Sequence, residues 1–195
     1  MNGILAISVL FFASRVSLAQ ISSSVTLESA QAALQRFCDM EVAGKGLSPE
    51  GWNEMAGVLL HSGPPNQRKL IVVKDFVVSK PIVKNDRAEL YVEYIYLGQL
   101  NSSFARYSQV IPGLPRGPIK VRVEYYVVRT PAEGGRVSSP TWKIERSSEG
   151  PPEHLHVSVA ATTSYLKQLR DRERNPVIKR NAEQSIATLT GSQTK

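Results

Sequence analysis

Between Lys69 and Arg146 the chain carries four runs of β-branched and aromatic residues, Leu70 to Val78, Ala88 to Leu97, Ile119 to Arg129 and Thr141 to Arg146, with no helical period between them. Parallel neighbours need a crossover of a dozen or more residues, usually a helix. Runs joined by turns instead predict an antiparallel sheet with the helices gathered on one side, an α+β layout. The punctuation agrees: Asn85-Asp86, the stretch Pro112 to Pro118, and Glu133-Gly134-Gly135 stand between the runs. A fifth strand is expected around Phe104 to Ile111.

Helical periods flank this block. Leu27, Ala30, Leu34 and Phe37 predict a first helix from Leu27 to about Glu41, with Thr26 as N-cap. Gly44 and Gly46 end it, and Ser48-Pro49-Glu50 opens a second helix whose stripe is Trp52, Met55, Ala56 and Leu59. The turn His61 to Pro65 breaks that helix. After Gly150-Pro151-Pro152 the period returns: Val157 to about Arg174 predicts one helix, and Asn175-Pro176 opens another with Ile178, Ala182, Ile186 and Leu189 on one face. These two fold as a hairpin.

The apolar run Ile4 to Ala13 is too short to cross the roughly 30 Å hydrocarbon core, which takes about 20 residues. With Ser17-Leu18-Ala19 before Gln20 it predicts a signal peptide cleaved near Ala19, hence export to a periplasm or the exterior and no transmembrane segment in the mature chain. The expected division is residues 1–19 as signal, 20–150 as an α+β domain, and 151–195 as a helical hairpin with a polar end. The lone thiol, Cys38, cannot form an intramolecular disulfide and is expected to pack as a small apolar residue.

A formal charge of +7 favours anionic surfaces such as lipid head groups and acidic polysaccharides. The basic residues alternate with acids, as in Arg170-Asp171-Arg172-Glu173-Arg174, which predicts a solvated helix face and no nucleic-acid partner.

Two helices followed by a bent antiparallel meander ending in Thr141-Trp142-Lys143-Ile144-Glu145-Arg146 resemble the nuclear-transport-factor-2-like superfamily over Leu27 to Ser147. The resemblance implies a cone-shaped sheet wrapped around the first helix and enclosing a pocket. Relatives with that fold include ketosteroid isomerase and scytalone dehydratase but also binders without chemistry, so function must be argued from the site.

Strand alternation names the expected pocket lining. Leu90, Val92, Tyr94 and Tyr96 oppose Glu89, Tyr91 and Glu93; Val121, Val123, Tyr125 and Val127 oppose Lys120, Arg122 and Glu124; Trp142 and Ile144 oppose Lys143 and Glu145. Tyr94, Tyr96, Val123, Tyr125 and Trp142 are therefore the expected ligand-binding residues. The first strand is apolar on both faces. Ile71, Val73, Asp75 and Val77 share one side, which makes Asp75 the candidate general base if that side faces inward, with Tyr94 or Tyr125 as donors; otherwise Lys74 or Asp75 lies at a partly exposed sheet edge. Asp39 ranks lower, on the flank beside Arg36. His154 and His156 share one side of an extended segment, yet no third ligand stands at a recognisable spacing, so no metal and no cofactor are expected.

Three functions fit this pattern. One is a non-catalytic exported module holding a small apolar molecule in the cone. Another docks an envelope partner, or a second copy, through the sheet's outer face, where Tyr91, Tyr126 and Val128 point, or through the basic helical hairpin. The third is a small lyase or isomerase using Asp75.

Overall fold

The computed structural model describes residues 29–60, 69–131, 141–146 and 154–191. The expected leader, Thr26 with the start of the first helix, the turn after His61, the Glu133-Gly134-Gly135 turn, the Gly150-Pro151-Pro152 break and the last residues of the polar end lie outside them.

Helix α1 spans Ala30–Val42 and is capped by Ser29, whose hydroxyl accepts the Ala32 amide at 3.1 Å. Helix α2, Pro49–Ala56, starts as its sequence predicts, with Ser48 capping Gly51 and proline at the first position. The seven described strands are β1 (Lys69–Val78), β2 (Ile82–Lys84), β3 (Arg87–Asn101), β4 (Arg106–Ser108), β5 (Ile119–Thr130), β6 (Thr141–Arg146) and β7 (Leu155–Ser158). They form one curled, half-barrel sheet in the order β6-β5-β3-β1-β7, with β2 and β4 paired to the long β3. Helices α3 (Val159–Arg172) and α4 (Pro176–Gly191) form the C-terminal hairpin.

The α+β class holds, with two corrections. The sheet is mixed: the extended segment at His156 continues through Val157 and Ser158, which were expected to begin the helix, and Leu155 to Ser158 pairs in parallel with Leu70 to Val73, so α3 begins only at Val159, capped by Ser158. Helices also lie on both faces. In the concave face α1 touches both edge strands, β6 and β7, and its Leu34, Phe37 and Cys38 share a core with Val73, Val92, Tyr94, Tyr125 and Ile144. On the convex face the hairpin buries Leu166, Ala182 and Leu189 against Leu70, Val72, Leu100, Leu155 and Val157. That second core explains the doubly apolar first strand, since a strand covered on both faces reads as a continuous hydrophobic run.

Two bulges carry the chain between these cores. Val72 pairs with Gly98 but Val73 with Tyr96, so Leu97 is the extra residue on β3; Val73 to Phe76 then spans only Tyr96 to Tyr94, which places an extra residue of β1 within Lys74-Asp75. Each bulge reverses the facing of the residues beyond it. Gly98 also sits where a Cβ would lie 2.3 Å from the Ser108 carbonyl oxygen, so only glycine lets β4 approach. Finally, Val58 and Leu60 exchange backbone bonds with Ile144 at 2.9 Å each, which covers the outer edge of β6.

Candidate functional site

Asp75 does not enter the cone. The bulge in β1 turns Ile71, Val73, Phe76 and Val78 toward the inner core and leaves Lys74, Asp75 and Val77 exposed. The Asp75 carboxylate accepts the Phe76 amide at 2.8 Å, a turn-like bond that stabilises the bulge. The expected base thus has a local structural partner and no access to the tyrosines. Asp39 is likewise exposed and accepts from Gln35 at 3.1 Å.

The expected lining residues do face inward. Tyr94, Tyr96 and Tyr125 are buried, while Val123 and Trp142 pack half-buried against the same core. Tyr94 and Tyr125 are sealed on all sides, with the Phe37 ring 6.2 Å from Tyr125 in an edge contact. Around them stand two groups that the sequence reading did not place there. Glu41 lies on the buried stripe of α1, four residues after Phe37 and seven after Leu34, and is 1% exposed. His156 comes from β7, where alternation turns it to the concave face between Leu155 and Val157.

These groups make one connected cluster. His156 Nδ1 lies 3.3 Å from Glu41 Oε2, and its Nε2 lies 2.8 Å from the Tyr96 hydroxyl. As a neutral imidazole it donates to the carboxylate and accepts the phenol proton. Its ring stacks on Tyr94 at 4.0 Å with planes 9° apart. The Tyr94 hydroxyl donates to Glu41 Oε2 at 3.3 Å and lies 3.1 Å from the Tyr125 hydroxyl and 3.5 Å from the Cys38 sulfur. Burial, followed by the neighbouring Tyr125, Glu41 and Cys38, pushes the Tyr94 phenol well above its ordinary range. Chemically the cluster can share a proton from Tyr96 through His156 to Glu41. Its members are packed against one another, however, and spend their donors and acceptors inside the fold.

The convex face of β3 and β5, beyond the hairpin, is different. There the Arg122 guanidinium lies 3.6 Å over the Tyr91 ring and that of Arg87 lies 4.0 Å over Tyr126. Tyr91 donates to Glu89, which raises its phenol to about 12, and Arg87 pairs with Glu145 at 3.2 Å. Beside this ladder a cleft of about 550 Å³ opens between the Asn85-Asp86 turn and β5, lined by Ile82, Lys84, Asp86, Arg87, Glu89 and Tyr126 among others. Among the described residues no group of three or more His, Cys, Asp or Glu side chains is placed to hold a metal ion. No described helix is long and apolar enough to cross a membrane.

The tyrosines set an alkaline limit to the fold. Desolvation lifts Tyr107 to about 12, and Tyr94 also stands well above 10.0. A phenol with a raised folded pKa contributes stability that is complete below its unfolded value and lost as pH rises through the folded one. Unfolding is therefore expected above pH 10, with tyrosinate absorbance and the loss of near-ultraviolet dichroism rising together. Full tyrosine ionisation in a chain that keeps its dichroism would contradict this.

Compared with known proteins, the chain matches no family model, no curated protein and no solved structure.

Proposed function

We propose that this chain is a non-catalytic binding module of an exported protein, and that it takes a second copy of itself against the convex face of β3 and β5, beyond the hairpin. The observation that carries the reading is the contrast between the two faces: the concave interior is filled at its centre by Tyr94, Tyr125 and Phe37, whereas the convex face keeps an open cleft edged by the Tyr126 ring. The cleft is lined by two cations, Lys84 and Arg87, and two anions, Asp86 and Glu89. A lining with both signs can oppose itself across a twofold axis, acid to base. Tyrosine and arginine are also the side chains that interfaces favour.

Sedimentation velocity tests this. A dimer that the double variant Tyr126→Ser/Val128→Ser converts to monomer supports the reading, and a monomer at every concentration removes it. Amino-terminal sequencing of exported material beginning at Gln20 would support the export half of the proposal.

A second reading, a small apolar ligand in the cone, is favoured by one observation. Phe76, Ile111, Ile119, Val121 and Val123 remain half-buried along the inner core. Native mass spectrometry of the purified protein with a panel of hydrophobic compounds would reveal a retained adduct if this rim binds one. The lyase or isomerase reading rested on Asp75, which faces solvent.

A further inference from the structure

The closed end of the α3–α4 hairpin overhangs the fold. Fully buried residues of α3 stop at Leu166 and those of α4 start at Ala182, which leaves the last six residues of one helix and the first six of the other past the last fully buried side chains, about 9 Å of helix on each side. Leu169 and Ile178 close this end against the hydrophobic cluster, and the connection is tightly bonded. Glu173 accepts the amides of Arg174 and Asn175 at 2.8 and 2.9 Å, and Asn175 caps Val177 at 2.9 Å.

This end carries Lys167, Arg170, Arg172, Arg174, Lys179 and Arg180 against only Asp171 and Glu173. Both acids are already engaged. Asp171 pairs with Arg170 at 2.8 Å, and Glu173 is bound to backbone amides, which together with Lys179 hold its carboxyl below the ordinary range. Arg172, Arg174, Lys179 and Arg180 are exposed, and among the described residues no carboxylate lies within ion-pair distance of any of them. Lys179 and Arg180 also stand near the amino end of α4, whose first turn holds no acid, so the helix dipole opposes them. Lys179 is answered in part by the Glu173 charge, whereas Arg172, Arg174 and Arg180 have no such carboxylate beside them among the described residues. Among these cations Val177 is 60% exposed at the tip of the hairpin.

We propose that this tip is a docking surface for an anionic lipid bilayer. The four exposed cations meet the head-group charge, and Val177 enters the boundary between head groups and acyl chains. Nucleic acid fits less well, because no aromatic side chain stands at the tip to stack on bases.

The test is co-sedimentation of the mature protein with vesicles. Binding is expected to vesicles of phosphatidylglycerol mixed with phosphatidylcholine, to be absent with phosphatidylcholine alone, and to fall as salt is added. Each cation removed should weaken binding roughly fivefold, so that R172S/R174S/K179S/R180S loses it by several hundredfold. The pair variant K179S/R180S guards against misfolding. It should bind roughly 25-fold more weakly while keeping the parent's circular dichroism, since both side chains are exposed. Failure to bind phosphatidylglycerol vesicles, undiminished binding by the fourfold variant, or tighter binding to a single-stranded RNA than to the vesicles would each overturn the proposal.

Discussion

Replacing His156 with leucine is expected to destabilise the fold by roughly 3–5 kcal/mol, more than Glu41→Leu does, because it leaves a carboxylate in the core without its imidazole. The asymmetry comes from what each partner keeps. Without Glu41, His156 keeps its hydrogen bond with the Tyr96 hydroxyl at 2.8 Å. Without His156, the buried Glu41 carboxylate loses the ring nitrogen 3.3 Å from its Oε2. The cost of Glu41→Leu is then that of leaving polar groups unsatisfied, about 1–3 kcal/mol. The double variant Glu41→Leu/His156→Leu should recover part of the loss, as apolar replacements of whole buried pairs often do. Denaturant unfolding of the four proteins gives the coupling directly. If His156→Leu unfolds within about 1 kcal/mol of the parent, the cluster does not tie α1, β3 and β7 together in the way its distances indicate.

Glu41 and His156 show where the sequence was legible and where it was not. The stripe Leu34, Phe37 and Cys38 already points at Glu41, one turn further on, but a carboxylate at the end of a predicted helix is ordinarily solvated, and nothing local shows a histidine arriving from 115 residues away. His156 was hidden by its neighbours. Leu155 to Ser158 is only four residues long, so His154 to His156 could be read as extended but not as a paired strand, and Val157-Ser158 runs into the helix with no break in period. The doubly apolar face of Leu70 to Val73 was the available signal, because such a run asks for cover on both sides. The inward placing of Asp75 failed for a different reason, and its exposed alternative is what the structure shows. Alternation counts residues, and the extra residue at Lys74-Asp75 reverses the count after Val73. By contrast the alternating residues of β3 and β5 and the caps at Ser48 and Asn175 rest on near-neighbour physics, and the structure places them as read. The acid–base alternation of Arg170 to Arg174 was legible as exposed but not as unbalanced, since only the folded turn shows both acids already bonded.

The largest effect should come from ending the chain before Leu155. Such a deletion looks mild in the sequence, where residues 151–195 read as an appendage after a proline-rich break. In the fold it removes an edge strand, the His156 partner of Glu41, and the whole cover of the convex core. Leu70, Val72 and Leu100, each fully buried, would face water, and the free edge of β1 would be left unpaired. Burying a side chain of this kind is worth about 1.5–3 kcal/mol, so these three alone account for roughly 5–9 kcal/mol. That approaches the whole stability of an ordinary domain, about 5–15 kcal/mol. The shortened chain is expected to be unfolded or aggregated, by circular dichroism and size exclusion. The point variant Leu166→Ala, which opens a cavity in the same core, should cost about 2–5 kcal/mol while leaving a folded protein. A soluble shortened chain with the parent's near-ultraviolet dichroism would mean that the concave core is sufficient by itself. The hairpin would then be dispensable to the fold and free to serve only as the carrier of its basic tip.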